Sequence, residues 1–156
     1  MDAQALAGRA VVSGTLAAAA VTLVASVAAK RATGSSAAAL NATSHVLWGE
    51  RAGRKNTVSM KYTATGAIAN YGASIFWACV YEMLAGHRGR TRLRALAGGA
   101  LTSAVAYVTD YHVVPRRLTP GFEMRLSRGA LAGVYVALAL GLCARDVFTS
   151  REARSP

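Results

Sequence analysis

The chain has 156 residues, enough for one domain and too few for two. Hydrophobic residues make up 53% of it and the mean hydropathy is +0.30, yet 18 Lys and Arg face only 7 Asp and Glu, a formal charge of +11. These properties coexist only if they are segregated, and they are: the basic residues cluster between long, nearly charge-free stretches, the pattern of membrane spans and loops rather than of a nucleic-acid-binding surface.

Residues 10–29 hold no charge over the length that a helix needs to cross hydrocarbon, and they end at Lys30-Arg31. A cleaved leader starting at Arg9 is the competing reading, but its apolar run would be too long. From residue 32 to 63 the chain is mixed, with a break at Gly34-Ser35-Ser36 and a basic run of Arg51, Arg54, Lys55 and Lys61. Within it, residues 36–49 predict a short helix with Ser36 as N-cap and Gly49 as stop. It is too short to span and reads as interfacial or re-entrant. Leu40, Leu47 and Trp48 are expected to face the bilayer or the bundle, and Asn41, Ser44 and His45 to face away.

The second span is predicted at residues 64–86, followed by a basic loop at 87–94, and the third at 95–114, stopped by Pro115 and Arg116-Arg117. Thr119-Pro120 reads as an N-cap and first-position proline opening a helix through Glu123, which continues as the fourth span, residues 128–144, ending near Arg145-Asp146. The tail, residues 149–156, is polar. The expected architecture is therefore all-α: one transmembrane domain, an integral membrane four-helix bundle with a short extra helix between the first two spans. The basic residues divide almost evenly between the two sides. The density of the second loop favours cytoplasmic termini in a bacterial inner membrane.

Lipid tails are as apolar as leucine, so such helices associate through close packing and hydrogen bonds. Gly129, Gly133, Ala137 and Gly141 recur every four residues and predict a smooth groove on the fourth span. Gly14, Ala18, Thr22 and Ala25 offer a matching face on the first, in the same chain or in a second copy, which makes a homo-oligomer one expected assembly.

Two acids fall inside the predicted spans, Glu82 and Asp110, and an ionisable group at membrane depth points to function. Antiparallel spans put them in opposite leaflets, Glu82 level with Arg9, His87 and Arg145, and Asp110 level with His45, Lys61, Asn70 and His112. Asn70, Ser74, Trp77 and Tyr81 form one polar stripe at helical spacing, and Gly99, Ser103, Tyr107 and Asp110 another. Facing each other, they would make a seam that is either structural or a proton path with Tyr71 among its members. His45, Asp110, His112 and Glu123 are imaginable metal ligands, but no HxxxH, HExxH or ExxH spacing supports a metal or cofactor. Ser44-His45 lacks the elbow of a serine hydrolase. Asn41-Ala42-Thr43 is a formal glycosylation triplet, and Cys79 and Cys143 read as small apolar fillers.

The segments SHVLWG (44–49), ASIFWACVYE (73–82) and VTDYHVVPRRLTPGFEMRLS (108–127) resemble those of a group of small four-helix bacterial inner-membrane proteins with no established activity. The resemblance implies a membrane location and no particular chemistry. The expected function is that of a non-enzymatic structural or accessory membrane protein, its basic loops set against anionic lipid headgroups, with no nucleic-acid partner. A small proton- or ion-coupled transporter using Asp110 and Glu82 is the alternative, and a membrane enzyme acting on lipid or quinone is the third reading.

Overall fold

The computed structural model describes residues 3–85 and 91–150, and among these all regular structure is helical. The chain rises through α1 (Ala3–Thr33) and turns over through three short helices, α2 (Ala38–Thr43), α3 (His45–Trp48) and α4 (Glu50–Gly53). It descends α5 (Thr65–Ala85), rises again in α6 (Arg92–Val108), and descends α7 (Arg128–Thr149). Cross-helix pairs set this alternation: Ser13 meets Glu82, whereas Thr22 meets Asn70, so α1 and α5 run antiparallel. α1 packs along both α5 and α7, and α6 closes the ring against α7 and α5.

Local chemistry explains the helix starts. Thr91 and Ser127 each accept a hydrogen bond from the backbone N–H three residues on, capping α6 and α7. Ser59 does the same for Tyr62, opening a widened π-turn (Met60–Ala64) that runs into α5. A second π-turn (Thr109–Val113) ends α6, because Pro115 has no N–H to continue the ladder and holds Val114 extended. The Val114 N–H instead donates to the Thr109 carbonyl at 2.9 Å.

Small residues let the helices approach. A Cβ on Gly14 would stand 2.9 Å from the Ile75 Cα, one on Gly99 would stand 2.6 Å from the Ala139 carbonyl oxygen, and one on Gly141 would collide with the backbone of Ala17. The buried face of α1 is almost wholly small: Ala10, Ser13, Gly14, Ala17, Ala18, Ala25 and Ala29, with Val21 as the larger exception. Many large apolar side chains point outward, including Leu23, Ile68, Phe76, Leu101 and Leu140, while Trp77, Phe122, Leu138 and Leu142 fill the interior.

Among the described helices, α1 and α7 are long and apolar enough to cross a membrane by length and composition. Several expectations need correction. The single helix expected at 36–49 is broken at Ser44 into α2 and α3, and Ala37 rather than Ser36 precedes it, without a side-chain cap. Gly49 does end it, at φ 71°, a conformation costly for residues with a Cβ. Its polar face points inward: Asn41, Ser44 and His45 are buried while Leu47 and Trp48 are exposed. Asn41 explains why. Its amide donates to the carbonyls of Lys55 and Thr57 and its oxygen accepts from Thr63, satisfying loop backbone that would otherwise lie unpaired. Thr119-Pro120 opens no long helix, since only a 3₁₀ turn (Phe122–Met124) follows before Ser127 caps α7. α7 continues to Thr149, beyond the expected end; α6 begins at Arg92, inside the expected loop 87–94, whose residues 87–90 lie outside the described residues together with most of the expected polar tail.

Candidate functional site

At the end where α1 begins, Glu82 is fully buried between three helices. Its Oε1 accepts from Ser13 Oγ at 3.0 Å and from Arg145 Nη2 at 3.1 Å, and its Oε2 lies 3.5 Å from Arg9 Nε. Arg145 also holds Asp146, whose other oxygen accepts from the Tyr81 hydroxyl at 2.8 Å. Two acids and two arginines thus join α1, α5 and α7 in a compensated network, which is the form a buried charge requires. Its chemistry is that of a clasp.

The opposite end is built differently. The π-turn carries Asp110, Tyr111 and His112 on consecutive positions, and such widened turns recur at functional sites because they displace side chains from the helical register. Asp110 Oδ2 accepts from the Tyr135 hydroxyl of α7 at 2.6 Å. Tyr135 meets Tyr107 edge-on at 5.3 Å between ring centroids and Tyr111 at 6.1 Å, and Tyr107 also packs on His112. Tyr111 donates to Glu123 at 3.1 Å, and Thr119 donates to the other oxygen of Glu123 at 2.7 Å, tying the π-turn to the cap segment.

This cluster separates two spaces. Inside the bundle lies a cavity of about 150 Å³, bounded by α1, α5, α7, the π-turn and the cap, with Asn70, Ser74 and Asp110 among its polar walls and Trp77, Phe122 and Leu138 among its apolar ones. Outside, between α6 and α7, runs a lateral groove floored by Ala100, Ala104 and Ala132 and ending at Tyr111, His112 and Glu123. Tyr135 lines both. The cap closes over the inner cavity through a tight approach at Gly121, whose φ of 81° and 2.5 Å distance from a would-be Cβ to the Ala42 carbonyl leave room only for glycine.

Of the residues singled out in the sequence, Asp110, His112, Tyr107 and Glu123 come together around Tyr135, and Asn70 joins Asp110 at the inner cavity. His45 sits under the cap, its Nδ1 2.8 Å from the Ala42 carbonyl oxygen and its Nε2 3.5 Å from that of Arg116. Glu82 stands apart, about 15 Å away if the ten residues separating its partner Arg145 from Tyr135 on α7 are counted at the α-helical rise. The two polar stripes do not face each other. Asn70 donates to Thr22 of α1 at 3.0 Å, and Ser103 donates to the Tyr135 carbonyl of α7 at 2.6 Å, because α5 packs chiefly on α1 and α6 chiefly on α7. Among the described residues no three His, Cys, Asp or Glu side chains gather as a metal donor set, so His45, Asp110, His112 and Glu123 do not form one.

Sequence reasoning missed Tyr135, Tyr111 and Asp146. Tyr135 falls in line with Leu131, Leu138 and Leu142 on α7 and carries no polar signal of its own. Asp146 looks like a helix-end residue beside Arg145. Comparison with known proteins adds no relative: no protein-family model, no curated protein and no solved structure matches the chain.

Proposed function

We propose that this chain is a four-span, non-enzymatic membrane protein that binds rather than transforms, set in the bacterial inner membrane. One observation carries the reading: a set of polar side chains is buried between the helices while many large apolar ones face outward. Ser13, Asn70, Ser74, Glu82, Thr102 and Ser103 are buried, while Ile68, Phe76, Leu101, Val105, Val136 and Leu140 are exposed. A water-soluble bundle places these classes the other way round. The charge-free parts of all four helices lie side by side, and the charged residues gather at the two ends. Where Tyr71 does put a hydroxyl on the outer face, Thr15 of α1 meets it at 3.1 Å, as a polar group facing hydrocarbon requires. At the cap end Trp48 is half exposed with Lys61 Nζ 4.4 Å from its ring centre, an arrangement suited to the headgroup layer. Anionic headgroups are the natural partners of the basic cap.

The relay alternative has weaker support. Glu82 is enclosed by Arg9 and Arg145, and Tyr107 turns towards the outer groove. The test of the main reading is thiol labelling of intact cells with a membrane-impermeant reagent, using single cysteines in a variant whose Cys79 and Cys143 are replaced by Ala. Four spans put Ala7→Cys, Leu93→Cys and Phe148→Cys on one side and Val58→Cys and Leu118→Cys on the other. If Leu93→Cys instead labels with Val58→Cys, only α1 and α7 cross and the four-span reading fails. Vesicles holding the purified chain are expected to show no proton flux, and a flux abolished by Asp110→Asn would establish the relay instead.

A further inference from the structure

The polar groups around the inner cavity leave mostly acceptors open, with the Ser74 hydroxyl and the Trp77 indole N–H as neutral donors. Asn70 commits its amide nitrogen to Thr22 and to the Ala18 carbonyl, leaving its oxygen as an acceptor with no partner among the described residues. Asp110 uses Oδ2 for Tyr135 and keeps Oδ1. The hydroxyls of Thr43 and Thr119 are turned away, onto the Ala39 carbonyl and Glu123. Ser74, one helical turn from Asn70, is buried and makes no hydrogen bond within the described residues. No Lys, Arg or His is among the described residues lining the space. The cavity therefore offers oxygen acceptors and a carboxylate without a cation, set between apolar and aromatic walls.

We propose that this cavity binds a small primary ammonium ion with a compact apolar body, Asp110 as its counter-ion and Asn70 and Ser74 as its neutral acceptors. An ammonium group brings three donors and no acceptor, the complement of what these side chains leave open. A half-buried carboxylate beside apolar walls favours a cation next to it, and the rings of Trp77 and Tyr135 favour one too. The volume fits: about 150 Å³ is the size of cavity that holds a benzene ring. A carboxylate, phosphate or quinone ligand would need donors, and the uncommitted side-chain donors on the walls are the Ser74 hydroxyl and the Trp77 indole N–H, neither of them charged. The assignment deepens the binding role proposed above by naming its ligand class.

Purified full-length protein in detergent is titrated with benzylammonium, n-butylammonium, benzyl alcohol and benzoate, read by calorimetry and, in a Trp48→Phe variant, by the fluorescence of Trp77. The expected result is that one of the two ammonium ions binds at least about tenfold more tightly than benzyl alcohol, and that benzoate does not bind. Asp110→Asn, which keeps size and shape, is expected to remove that preference while benzyl alcohol still binds measurably, which reports an intact cavity. Ser74→Ala is expected to weaken the ammonium by a smaller factor. Equal binding of amine and alcohol, a preference that survives Asp110→Asn, or no amine binding at millimolar concentration overturns the proposal and leaves a water-filled cavity. Any of these results alongside the four-span labelling pattern removes the ligand assignment alone.

Discussion

Glu82 and Asp110 are the same kind of group in opposite circumstances. Glu82 is fully buried and its charge is answered by two arginines, so removing it strands cations at a helix junction. Losing one member of a buried pair costs about 3 to 5 kcal/mol, and the lower figure applies because both arginine side chains keep about a quarter of their exposure. Glu82→Ala should therefore lower the unfolding midpoint in detergent by the equivalent of about 3 kcal/mol. Glu82→Gln, which can still accept from Ser13 and Arg145, should cost less. Asp110 has a hydroxyl for a partner and open space beside it. Tyr135→Phe removes one hydrogen bond while leaving the carboxylate access to the cavity, a loss of about 1 kcal/mol. The order Glu82→Ala, then Tyr135→Phe, is readable in one set of thermal melts. The reverse order would mean that the Asp110 end, not the clasp, holds the bundle together.

Among the helices, α7 tests how far a repeating small-residue pattern reports contact. Gly129, Gly133, Ala137 and Gly141 look equivalent in sequence, but a Cβ would collide with Ala17 at Gly141, stand 3.7 Å from Val24 at Gly133, and meet nothing at Gly129. The helices diverge along their length, opening a cleft between Leu23, Val27 and Ala130 near the cap. Gly141→Val must push α1 away and should cost about 1 to 3 kcal/mol. Gly129→Ala should be neutral or stabilising by up to about 1 kcal/mol, since it adds helix propensity and no clash. Equal effects at the two sites would show that α1 does not seat on α7 as described. Helix order and the small-residue faces are legible in the sequence because charge segregation and four-residue spacing are local properties. The cap is not, because the burial of Asn41 depends on carbonyls at Lys55 and Thr57 that only the folded loop brings near. The π-turn at Thr109–Val113 is half legible: Pro115 announces the end of the helix, but not that its last turn widens and presents Asp110 to Tyr135.

For the whole molecule, the decisive quantity is the sign of the environment around the bundle. Phe76 is 58% exposed at the middle of α5, and Val58 is 78% exposed in the segment before it. In water the two positions are alike, and a lysine at either would be harmless. In a bilayer they differ: a lysine at the centre of a span costs about 2.5 to 3.5 kcal/mol, whereas one among headgroups costs nothing and gains attraction to anionic lipid. Phe76→Lys should therefore sharply reduce the amount of protein recovered in washed membranes and lower the unfolding midpoint of what remains. Val58→Lys should leave both unchanged. The contrast also separates four spans from two, because α5 bears this cost only if it crosses. Should Phe76→Lys be tolerated as well as Val58→Lys, with the chain recovered in the aqueous fraction, the exposed apolar faces of α5 and α6 would have to be covered by protein, and a second copy of the bundle would be the first partner to seek.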